Sequence, residues 1–214
     1  MRIAHVSSVL HEVSTESNSL EGKGVAVLGM GLVRLGYEVT LFASGDSVTS
    51  GSLVPVLPRA LRHHPAPKRH LLEGLVYLSL EKAFAASPPF DVIHVHAGFA
   101  AFPLIRRSPI PVLTTVYDPL DTPEVVRVYR EFNELALVAT SVEQIQRCPE
   151  LNWQAVVTWN DQVRDTTGLP ERAGVLEEIA SAYAAVYERM TPALVPRIAP
   201  SRAVCSQKEL ASPV

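Results

Sequence analysis

The sequence predicts an α/β fold: one parallel sheet with helices on both faces, followed by a long helix. Three observations carry this reading. Short apolar runs alternate with segments of helical period over about the first 158 residues. The first 42 residues read as strand, loop, helix and strand, a unit that implies parallel strands joined by a right-handed crossover. The run Asp91–His96 is an apolar strand ending in two alternate histidines, and strand ends of that kind line clefts in open α/β sheets.

The elements follow in order. Arg2–Val6 is the first strand, and the Ser-rich stretch from Ser7 to Glu21 is a loop. Gly22, Lys23 and Gly24 open a helix, Val25–Leu35, whose apolar residues Val25, Leu28, Leu32 and Leu35 recur at helical spacing. Gly36 follows it, where a left-handed residue ends a helix. Glu38–Phe42 is the second strand, Ser44–Ser47 a turn and Ser52–Val56 a short strand. The basic stretch Arg59–His70, broken by Pro65 and Pro67, is a loop: a solvated crossover, or alternatively a phosphate contact.

Leu71–Ala86 is a helix stopped by Pro88 and Pro89, and Asp91–His94 is the fourth strand. Gly98–Ile105 is a short helix or loop. Pro111–Val116, rich in β-branched residues, is the fifth strand. Pro123–Phe132 is a helix with Asp121 and Thr122 in its cap region. Leu135–Ala139 is the sixth strand, Val142–Arg147 a short helix and Ala155–Thr158 a weaker seventh strand. Pro170–Met190 is a long amphipathic helix with a stripe at Val175, Ile179, Tyr183, Val186 and Met190. The organisation is therefore a Rossmann-like domain over 1–165, a helix over 166–191 packing on it, and an extended or disordered tail over 192–214.

Composition narrows the function. Of 214 residues, 47% are hydrophobic, enough for a sizeable core. A net charge of −3 and the lack of a long basic run argue against nucleic acid or a membrane surface as partner. The absence of an 18-residue apolar run argues against a membrane span. The chain opens on a strand rather than a leader, and Cys148 and Cys205 are far apart, so a reduced, cytoplasmic protein is expected. Walker, nucleophile-elbow and zinc-spacing motifs are missing, so no cofactor or metal is expected.

Taken together, these segments resemble the N-terminal domain of GT-B glycosyltransferases of the family 4 type. The likeness rests on Arg2–Val6, Gly31–Ser47, Leu53–Leu61, Phe90–His96, Pro111–Thr115, Pro123–Phe132 and Leu151–Trp153, and it covers about residues 1–160. It implies a retaining, nucleotide-sugar-dependent transferase whose acceptor side lies here. The departures are informative. The family's Gly-Gly-x-Glu loop is replaced by Gly22-Lys23-Gly24 without the glutamate, and its His-Gly after the fifth strand by Tyr117-Asp118. The donor domain with its paired glutamates is missing between Asn160 and the helix at Pro170, which resembles the family's last helix.

The chemistry centres on His94 and His96, which share one face of their strand. The resemblance puts the matching pair at the interdomain cleft, and an imidazole near neutrality can serve as acid or base. Two alternatives stand beside that: a hydrogen-bonded structural pair, or a metal site, for which the sequence offers no third ligand. His11 joins them as a catalytic candidate at the end of strand one. Asp118 is the fourth, because the resemblance places a functional residue close by. Glu12, Gly22, Lys23, Gly24, Gly98 and Tyr117 are substrate-binding candidates; Gly22 to Gly24 alternatively form an ordinary turn. Asp121 and Ser141 are read first as helix caps.

Three functions follow. The first is glycosyl transfer to a small-molecule acceptor, with a homodimer or a donor-binding partner subunit completing the site. The second is acid–base chemistry on a small molecule by a reused half-scaffold: isomerisation, cyclisation or elimination. The third is a non-catalytic binding protein.

Overall fold

A computed structural model describes residues 1–64, 69–158 and 173–191. Seven parallel strands form one sheet: β1 (Arg2–Val6), β2 (Glu38–Ser44), β3 (Ser52–Leu57), β4 (Val92–Val95), β5 (Val112–Val116), β6 (Ala136–Ala139) and β7 (Trp153–Val156). Their order is β3-β2-β1-β4-β5-β6-β7, so the chain starts in mid-sheet and winds outward both ways. The expected α/β class and single parallel sheet are what the fold has.

Two layers of helix cover the sheet. On one face lie α1 (Leu20–Arg34) and α6 (Ala173–Met190), packed with Ile3, Val92, Leu113 and Val138. On the other lie α2 (Arg69–Phe84), α3 (Phe102–Ile105) and α4 (Pro123–Glu131), packed with Ala4, Val6, Ile93 and Val95. The alternation of side chains along each strand produces this division. A short helix, α5 (Val142–Arg147), follows β6. It opens on a capping box in which Ser141 and Gln144 satisfy each other's backbone amides, so the expected cap role of Ser141 holds.

The helices α1 and α6 come almost into backbone contact. A Cβ on Gly31 of α1 would stand 2.5 Å from the Leu176 carbonyl oxygen and 2.7 Å from the Ala180 Cβ of α6. Only glycine permits that approach. It lets Leu176, Tyr183 and Tyr187 reach the sheet and become fully buried, each contributing roughly 1.5–3 kcal/mol.

Several boundaries differ from the sequence reading. Helix α1 begins at Leu20, five residues early, because Ser19 caps it: its Oγ accepts from the Gly22 amide at 2.9 Å. Gly22, Lys23 and Gly24 therefore lie inside the first turns rather than ahead of the helix. Strand β7 runs Trp153–Val156 instead of Ala155–Thr158, since Trp153 pairs with Leu137 and a register shift follows. Asp121 does not cap α4. Thr122 holds the cap position, and its hydroxyl donates to Asp121. The tail expected over 192–214, Cys205 and the start of the long helix at Pro170 lie outside the described residues. Cys148 is a free, buried thiol.

Candidate functional site at the carboxyl edge

Parallel strands deliver their carboxyl ends to one edge, where chain reversals place side chains from several elements together. Here β1, β4 and β5 bring His5, His94, His96, Thr115 and Tyr117 toward the α1/α6 side. His5 and His94 are register partners on β1 and β4, and His94 and His96 share a face as expected. The ring centroids of His94 and His96 are 4.0 Å apart, and His5 lies 5.2 Å from each.

All three imidazoles are sealed: His5, His94 and His96 are exposed by 1%, 0% and 1%. Partners from sheet and helix make this burial tolerable. His94 Nδ1 lies 2.7 Å from the Tyr187 hydroxyl of α6, and its Nε2 2.8 Å from Thr115 Oγ1, which in turn bonds the Tyr183 hydroxyl at 2.9 Å. His96 Nδ1 lies 3.1 Å from the Tyr117 hydroxyl, and its Nε2 3.2 Å from His5 Nδ1. His5 Nε2 is buried without a hydrogen-bond partner. Burial lowers the pKa of His5 to about 3. It pushes His94 and His96 well below the ordinary range, and the neighbouring imidazoles add to the shift. The cluster is therefore neutral at physiological pH. Burial likewise drives Tyr117 and Tyr187 well upward, so both stay protonated.

Glu21, in the first turn of α1, reaches back to the end of β1. Its Oε1 accepts from the Ser7 hydroxyl and the Ser8 amide, each at 2.8 Å. Burial raises its pKa; the Ser7 and Ser8 bonds oppose this, and the charge of Asp118 adds to it. The Glu21 carboxylate also acts electrostatically on Tyr117. Asp118 is half-buried; its Oδ2 accepts from the Tyr129 hydroxyl at 2.8 Å and its carbonyl from Gln144 at 2.7 Å. The loop that carries it is held tightly. Leu120, two residues on, takes a φ of +52° with its side chain buried, a conformation a bulky residue keeps only where packing compels it.

The other candidates scatter around this edge. Gly98 turns the chain after β4 with a φ of +76°, a left-handed value suited to glycine. Gly22 is buried where a Cβ would meet the Glu12 carbonyl at 2.5 Å and Ser17 Oγ at 2.6 Å. His11 is half-buried, with Nδ1 unpartnered. Glu12 pairs with Arg62, which donates to both its oxygens at 2.6 and 2.7 Å. Burial works against its ionisation, yet the Arg62 bonds hold its pKa below the usual range. Thus the expected His94, His96 and Tyr117 form one network. Glu12 belongs to a second group with Asp46 and His63.

Sequence reasoning missed His5, Glu21, Thr115 and Tyr187. His5 does alternate with Ile3 in a five-residue strand, but its place beside His94 depends on a strand pairing across 89 residues. The signal for Glu21 is Ser19 two residues earlier, a cap that puts the carboxylate in the first turn.

The comparisons with known proteins bear on this edge directly. A model described as Glycosyltransferase Family 4 matches residues 22–148, more than half of the chain. The chain belongs to glycosyltransferase family 4. The matched span of this family 4 chain begins in α1, just after Glu21, runs to the end of α5, and takes in His94, His96, Tyr117 and Asp118. The fold is also that of a sucrose-phosphate synthase from Thermosynechococcus elongatus, at a TM-score of 0.54 and 16% identity, over 89% of this chain and 99% of that one. No curated protein matches the chain. Among the described residues, no helix is long and apolar enough to cross a membrane.

Proposed function

We propose that this chain forms the acceptor side of a glycosyl-transfer site. A small-molecule acceptor binds over the carboxyl edge, and a second copy of the chain or a donor-binding partner subunit closes the site. One observation carries the reading most: Glu21, Asp118 and the His96–Tyr117 pair, three separate elements of acid–base chemistry, meet at the strand ends of a family 4 domain. The described residues hold one α/β sheet. Residues 159–172, between β7 and α6, are too few for a second α/β domain.

In this reading Asp118 accepts the proton of the acceptor hydroxyl. Glu21, with its raised pKa, is poised to hold a proton near the reacting groups. His96 is sealed, neutral and engaged at both nitrogens, by Tyr117 and by His5, so it acts as a positioning residue for Tyr117. His94 has both nitrogens engaged and acts as a positioning residue behind His96. His11, Lys23 and Gly98 border the acceptor.

The test combines sedimentation with donor binding. Wild type is expected to self-associate or to bind a nucleotide sugar in the presence of its partner. Asp118→Asn is expected to cut transfer about 10²–10⁴-fold while circular dichroism stays native. A monomer that binds no nucleotide sugar overturns the reading. It would favour the second one, acid–base chemistry on a small molecule, which the same cluster supports because it needs no donor wall.

A further inference from the structure

The three imidazoles of His5, His94 and His96 are placed as metal ligands are. One ring nitrogen from each lies within 4.8 Å of the other two. His5 Nδ1 and His96 Nε2 already stand 3.2 Å apart. Two nitrogens bound at ~2.0–2.1 Å to one tetrahedral ion sit about 3.3 Å from each other. Outer nitrogens of ligating histidines normally hold a second hydrogen-bond partner that fixes the ring. Tyr117 fills that place at His96 Nδ1.

His94 is flanked by Tyr187 on one nitrogen and Thr115 on the other. One of these nitrogens lies within 4.8 Å of the ligand atoms of His5 and His96, and the hydroxyl on the other anchors the ring.

We propose that His5, His94 and His96 bind one zinc-class divalent cation, through His5 Nδ1, His96 Nε2 and a ring nitrogen of His94. Three neutral ligands leave the ion its charge. The half-buried Tyr117 and Gly98 mark the way in from the carboxyl edge. A second group, Glu12, Asp46 and His63, also brings ligand atoms together. There the Arg62 guanidinium already occupies both Glu12 oxygens, so it serves as the control.

The experiment uses the full chain, stripped with EDTA and then dialysed against zinc chloride or cobalt chloride. Elemental analysis is expected to find one equivalent of zinc per chain, with a tetrahedral-type visible band for cobalt and a raised melting temperature. His5→Gln and His96→Gln are expected to weaken zinc binding more than tenfold. The Glu12→Gln/His63→Gln double variant is expected to leave it intact. No zinc uptake by wild type overturns the proposal, as does uptake lost only in the double variant. If the histidine variants do not fold, imidazole nitrogen shifts of wild type decide: ligation at three histidines on adding zinc carries the site, and unshifted signals overturn it. Zinc uptake is read without donor or acceptor, so its failure leaves the glycosyl-transfer reading standing.

Discussion

On one face of β4, Ile93 and Val95 join an apolar cluster with Leu80, Ala101 and Phe102; on the other, His94 and His96 meet Tyr187, Thr115 and Tyr117. Four consecutive residues after Val92 thus serve two opposite kinds of packing. The apolar face draws its stability from volume filled and surface removed from water. The polar face gains little from burial itself. It stands only because the hydroxyls of sheet and helix satisfy the imidazoles. One face therefore responds to changes of size, the other to changes of hydrogen bonding and protonation.

The sharpest contrast comes from truncation on the apolar face. Phe102 is fully buried between Tyr129 and Phe132, and Phe102→Ala is expected to cost about 3–5 kcal/mol in urea unfolding. A smaller loss would mean that the apolar layer collapses around the gap.

Acid separates the faces next. Below pH 6.5 the unfolded, metal-free chain takes up protons at His5, His94 and His96 that the folded chain refuses. The unfolded state then binds more protons, so stability falls as pH falls. For His5 alone, the loss is about 1.4 kcal/mol per pH unit between its ordinary value of 6.5 and its folded value of about 3, and stops below that. Melting curves of EDTA-treated protein should show it, and His5→Gln should flatten the slope. An acid slope unchanged by His5→Gln would place the titration elsewhere.

Removing one hydroxyl is milder. Tyr187→Phe keeps the ring and leaves His94 Nδ1 without its partner, at a cost of about 1–3 kcal/mol by chemical denaturation. Smallest of all, Arg130→Ala breaks the exposed pair with Glu150 and is expected to leave the unfolding midpoint where it was.

Much of the sheet was legible because periodicity and turn residues are local signals. Gly36 ends α1 with a φ of +87°, as its position after Leu35 suggested. The apolar face needed nothing more than alternation. The polar face was legible only in part. His94, His96 and Tyr117 announced themselves at strand ends, but the groups that complete them come from a distance. His5 arrives by strand pairing, and Tyr187 by the packing of a helix 93 residues beyond His94. The stripe drawn on that helix included Tyr183 and left out Tyr187 and Leu176. The Gly31 contact turns the helix so that these two are buried, while Val175 and Met190 are only partly covered. Strand β7 was placed two residues late because a register shift leaves no mark in composition.

The lateness of α6 in the chain has a consequence for how the protein is made. Strand β4 is synthesised some eighty residues before Ala173, roughly 4–16 s at about 5–20 residues per second. Throughout that interval β1, β4 and β5 can pair and the apolar face can close, while the histidine face has α1 but not the Tyr183 and Tyr187 hydroxyls of α6. A nascent chain stalled before α6 should therefore carry a formed sheet with wet imidazoles, open to ions and to the solvent. The last described helix completes the cover of that face.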